Sequence, residues 1–99
     1  MMELKLFIRI YEAQKMMAVS SSISELLSKR ASIGGAIVGI SQKGCLIISQ
    51  PSFRKPLSPG SGEMGFVLKI VCKEIEDSFD FLSQLSEKLS HHEATIELL

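Results

Sequence analysis

The feature that most constrains this chain is a change of hydrophobic period along its length. From Glu3 to Tyr11 the residues alternate: Leu4, Leu6, Ile8 and Ile10 fall on one side, Lys5, Phe7, Arg9 and Tyr11 on the other. A period of two over eight residues predicts a strand with one buried face. Phe66 to Lys73 repeats the pattern, with Phe66, Leu68, Ile70 and Cys72 set against Val67, Lys69, Val71 and Lys73. Between and after these segments the period lengthens. Met16, Val19, Ile23, Leu26 and Leu27 recur at helical steps, as do Phe79, Leu82, Leu85 and Leu89, with Phe81 beside them. Such a chain must bury a sheet face under helices.

The boundaries follow from local signals. Ser20, Ser21 and Ser22 are candidate caps for the first helix, Ser22 with Glu25 at capping-box spacing, although a start near Lys15 would put the serines inside it. Lys29 and Arg30 suit a helix end, and Gly34-Gly35 would stop it. Gly35 to Ser49 reads as one strand bulged near Gly44, or as two short strands joined by a turn. Gln50 to Gly65 holds all three prolines and reads as a long loop. Asp77 or Ser78 would cap the second helix, His91-His92 would close it, and Ala94, Ile96 and Leu98 alternate as a last strand. The order strand, helix, strand, strand, helix, strand predicts an α+β fold. Its form would be a ferredoxin-like βαββαβ sandwich, a four-stranded antiparallel sheet with two helices on one face, in a single domain over residues 1–99. The other sheet face, with Phe7, Arg9, Tyr11, Val67, Lys69 and Val71, would stay open for a partner subunit.

Composition narrows the partners. The chain has 99 residues, of which 45% are hydrophobic, a high share that points to a subunit interface. Eleven basic residues balance eleven acidic ones. That leaves no cationic excess for nucleic acid or for anionic lipid. The apolar run from Ile33 to Ser41 is too short to span a bilayer, and Met1 to Arg9 lacks the layout of a signal peptide. Cys45 and Cys72 read as buried free thiols in a cytoplasmic protein, with a disulfide as the alternative.

Few residues carry chemistry. His91-His92-Glu93 offers adjacent ligands that point in different directions, so no metal is expected there. Met16-Met17 fits core filling. Gly34-Gly35 stands in the wrong order for a nucleotide fingerprint, and there is no GxSxG. The acids Glu74, Glu76, Asp77 and Asp80 suit a helix start. No catalytic residue and no cofactor are expected. The loop is the candidate binding segment. Phe53, Arg54 and Lys55 join an aromatic to two cations, and Gly60 and Gly62 supply open backbone N–H groups able to cup an anion. A solvated hairpin connection is the plainer reading. Lys43 and Gly44 are secondary candidates.

Leu4 to Ile10, Ile23 to Arg30, Gly34 to Ile40, and Gly65 to Val71 followed by an acidic helix start and Phe81-Leu82 together resemble the short PII-like proteins of about a hundred residues. That resemblance implies a homotrimer and a regulatory or sensor role without catalysis. It also implies a small anionic ligand, such as an adenine nucleotide, in clefts between subunits, with the loop signalling to a protein partner. The chain departs from the family at Gly39 to Gly44, where an Arg-Gly and further glycines would stand. Two other expectations are kept: a protein-interaction or assembly domain with no small ligand, and a metal-tolerance (CutA-type) protein, whose late helix end His91-His92-Glu93 resembles.

Overall fold

Both alternating segments form strands with the expected faces. In the computed structural model, which describes residues 1–54 and 63–99, β1 runs Met2–Ile10 and β5 runs Glu63–Cys72. They pair antiparallel, with Leu6 opposite Leu68 and Ile8 opposite Phe66. Leu6, Ile8, Phe66, Leu68 and Ile70 are all buried. After β1 come a short 3₁₀ turn at Ala13–Lys15, α1 at Met16–Glu25, β2 at Ser28–Ile33, β3 at Ala36–Ile40 and β4 at Leu46–Arg54. After β5 come α2 at Ile75–Leu89 and β6 at Ala94–Leu98.

The sheet corrects the expected fold. It has six antiparallel strands in the order β2-β3-β4-β5-β1-β6, so the four-stranded ferredoxin-like βαββαβ sandwich does not form. The reason lies between residues 26 and 45. α1 ends early, where the Leu26 and Leu27 amides bond to the Ile23 and Ser24 carbonyls and tighten the last turn. Lys29 and Arg30 are then strand residues, not a helix terminus. Gly34 (φ +57°) and Gly35 (φ +86°) form a two-residue hairpin between the paired Ile33 and Ala36. Positive φ at both central positions is what a hairpin matched to strand twist requires. The segment from Gly35 to Ser49 resolves into two strands, joined by a turn in which the Gly44 amide bonds to the Ser41 carbonyl.

The expected loop also contracts. β4 and β5 stay paired out to Arg54 opposite Glu63, so residues 50–54 and 63–65 belong to strands. Pro51 is tolerated for a geometric reason. The Cα atoms of Cys45 and Cys72 are 4.5 Å apart, the spacing of a pair that exchanges no ladder bonds. Positions 47, 49 and 51 share that parity, so the missing Pro51 N–H costs the β5 ladder nothing. Toward β3 the pairing has already stopped at Ser49.

Cys45, the residue before β4, is disulfide-bonded to Cys72 at the end of β5, which corrects the expectation of free thiols. The register that sets them face to face cannot be read from either strand alone.

Both helices lie on one face of the sheet. Val19 and Ile23 of α1 and Phe81, Leu85 and Leu89 of α2 join Leu6, Ile8, Ile10, Ile47, Leu68 and Ile70 in one core. The α2 stripe is rotated from the expected one: Phe81 is 1% exposed and Phe79 is 56% exposed. Glu74, not Asp77 or Ser78, occupies the N-cap position, and the Ser78 hydroxyl bonds inward to the Ile75 carbonyl. Ser22 likewise sits inside α1 and donates to the Ala18 carbonyl. Leu27 packs against Gly39, where a Cβ would meet the Leu27 Cβ at 2.8 Å. Among the described residues no helix is long and apolar enough to cross a membrane.

Candidate functional site

The expected binding segment is only partly described. Phe53 is 70% exposed on β4, and Arg54 ends that strand. Lys55, Gly60 and Gly62 lie outside the described residues. Lys43 and Gly44 are exposed on the β3–β4 turn, next to a groove that no sequence motif marked.

That groove, about 550 Å³, lies between the C-terminal end of α1, the β3–β4 turn and α2. Glu25 and Leu26, Gln42, and Gln84, Glu87, Lys88 and His91 line it. Two polar bridges shape it. The Gln84 amide donates to Gln42 Oε1 at 2.8 Å, and Lys88 Nζ donates to Glu25 Oε2 at 2.6 Å. The Lys88 ammonium, through its hydrogen bond and then its charge, holds the Glu25 carboxyl below its ordinary range, against a smaller opposing cost of desolvation. The turn is fixed by the Cys45 amide bonding to Ser41 Oγ and by Gly44 at φ +89°. These walls carry both signs of charge, and the Glu25–Lys88 pair satisfies one of each. The lining offers a small polar guest the side-chain amides of Gln42 and Gln84, the Lys88 ammonium and the His91 imidazole.

The second feature is the sheet face without helices, which divides in two. Toward β1 and β6 it is charged and carries several ion pairs within the chain. Arg9 bridges Glu97 at 2.8 Å and Glu63 at 3.0 Å, and lies over the Phe7 ring at 5.5 Å. Those two carboxylates raise the Arg9 pKa, so the guanidinium stays charged throughout the accessible pH range. Lys69 pairs with Glu3 at 3.0 Å, and the Tyr11 and Thr95 hydroxyls are 3.1 Å apart. Phe7, expected to be open, is 3% exposed beneath this layer.

Toward β2 the face is aliphatic. Ile40, Leu46 and Val71 form one cross-strand row, and Val38 pairs with Ile48 in the next. Ile33 is 68% and Leu46 36% exposed, while Val38, Ile40, Ile48, Val67 and Val71 are half-buried.

The histidines do not form a metal centre. His92 Nε2 lies 3.3 Å from Ser22 Oγ. Because Ser22 spends its one proton on the Ala18 carbonyl, His92 is the donor of that pair. His91 lines the groove. Among the described residues no three of His, Cys, Asp and Glu converge as metal ligands, which leaves the metal-tolerance reading without a site among them. Compared with known proteins, the chain matches no family model, no curated protein and no solved structure.

Proposed function

We propose that this chain is a non-enzymatic assembly domain that works as a homo-oligomer joined through the aliphatic half of its open sheet face. The supporting observation is the run of Ile33, Val38, Ile40, Leu46, Ile48, Val67 and Val71 on the sheet face that no helix covers. Contiguous apolar surface of this kind marks interaction sites, and burying it against a copy of itself removes it from water. The neighbouring charged half, with its ion pairs closed internally, would form the polar rim. The cytoplasmic setting is part of the proposal. There, burial of both cysteines would shield the bridge from exchange with small thiols. The test is Ile48→Lys, which places a charge in the aliphatic half where it borders Lys69, the cross-strand partner of Ile48 on β5. It should lower the mass measured by sedimentation, and a far-UV spectrum like that of wild type should show that the chain stays folded despite the second cation beside Lys69. An unchanged mass would place the contact elsewhere.

A second reading is favoured by the groove beside Lys43 and Gly44. It is a regulatory protein of the PII-like kind, a homotrimer in which a small ligand near this turn controls the segment after Arg54 and, through it, a protein partner. An adenine nucleotide is the anionic ligand this reading names. A rise in melting temperature with the nucleotide, weakened about tenfold by Lys43→Ala, would support it. No shift with saturating nucleotide would remove it and leave the assembly reading untouched.

A further inference from the structure

The two edges of the sheet are treated differently. β2, one edge, carries the devices that prevent strand addition. Its ladder to β3 shifts register between Ser28 and Ala31, Lys29 has φ 50°, and Lys29 and Arg30 stand exposed along it. A bulge and cations on an edge strand block pairing with another chain. β6, the other edge, carries none of these. Its pairing with β1 is regular from Ala94 to Leu98, it contains no proline or cation, and its one charge, Glu97, is held by Arg9. Among the described residues no strand lies beyond it.

We infer that β6 pairs antiparallel with β6 of a second copy, joining two sheets edge to edge in a two-fold dimer. The strand is complementary to itself. With the two-fold axis at Ile96, Ala94 stands opposite the partner's Leu98, Thr95 opposite the partner's Glu97, and Ile96 opposite its own copy. Small meets large on the helix side, and a hydroxyl meets a carboxylate on the open side. No like charges meet. The flank has room for the partner. A groove of about 560 Å³ separates β6 from α2, with Ser86 and Leu89 on the helix and Ala94 and Ile96 on the strand. Leu98 is 71% exposed, and Phe79, seven residues before Ser86 on the same helical stripe, is 56% exposed. Pairing would cover both. Because β2 is blocked, addition at β6 stops at two chains and does not propagate into a fibre.

This interface is separate from the open-face contact proposed above, and one set of variants distinguishes them by sedimentation equilibrium. The wild-type mass should be an even multiple of 10.9 kDa. Thr95→Glu sets two like-charge pairs across the axis and should weaken the β6 contact at least tenfold, halving the mass. Thr95→Lys, facing the partner's Glu97, should preserve or tighten it. Thr95 is exposed, so both variants should fold; it stands opposite Arg9 of its own chain, so an effect confined to the monomer would favour Glu over Lys, the reverse of the order expected for the contact. Ile48→Lys should leave a dimer of about twice the chain mass. An odd multiple, a monomeric wild type, or equal masses for the two Thr95 variants would overturn the inference.

Discussion

Gly65 shows how tightly single positions are set in this sheet. It pairs with Arg9 on β1 and Ser52 on β4, and a Cβ there would lie 1.7 Å from the Ile8 carbonyl oxygen. Backbone cannot yield as a flexible side-chain end can. Gly65→Ala should therefore destabilise the fold by about 3 kcal/mol, read as a fall in thermal midpoint of roughly 15 °C. A midpoint within a few degrees of wild type would show that β1 and β5 do not approach in this way. The cysteines belong to the same scale. Their bridge spans a sequence separation of 27, and removing such a cross-link costs about 3.5 kcal/mol in the chain-entropy account. Cys45→Ser with Cys72→Ser should lose about that much stability, and excess reductant should lower the wild type toward the double variant. Two titratable thiols in the native protein without reductant would contradict the bridge.

Among the elements, α1 and α2 are tied by Lys88 to Glu25 at the groove mouth. Since the folded pKa of Glu25 lies below its ordinary value of 4.5, the tie contributes at neutral pH and is lost as pH falls through the folded pKa. Melting curves of wild type and Glu25→Gln should accordingly differ near pH 7 and converge in acid. A difference independent of pH would assign the effect to packing. What could be read in advance at this scale depended on how local the cause was. β1, β5 and β6 declared themselves by alternation, a property of each strand alone. β2 did not, because Lys29-Arg30 before Gly34-Gly35 satisfies a helix ending as well as a hairpin. The two-residue spacing between Ile33 and Ala36 was the overlooked signal. On α2, Phe79 and Phe81 both fit a helical stripe, and only packing on the sheet selects Phe81. The groove could not be anticipated, since its bridges join residues 42 to 84 and 25 to 88, separations that no motif spans.

Across the whole molecule, one sheet face is sealed by two helices and the other is left half aliphatic and half charged. The two edges are likewise unequal, one blocked and one plain. The sequence carried the open face in outline, through Val67 and Val71. It did not carry the aliphatic half, because that half depends on β2 and β3 forming strands and extending the sheet beyond β4. The excess of hydrophobic residues over what one small core absorbs has its place there. Sedimentation equilibrium of the wild-type chain at tens of micromolar tests the central claim most directly. Homo-oligomeric assembly through uncovered sheet surface predicts a mass at least twice the 10.9 kDa of one chain, reduced by Ile48→Lys. A single species at 10.9 kDa over that concentration range would contradict it.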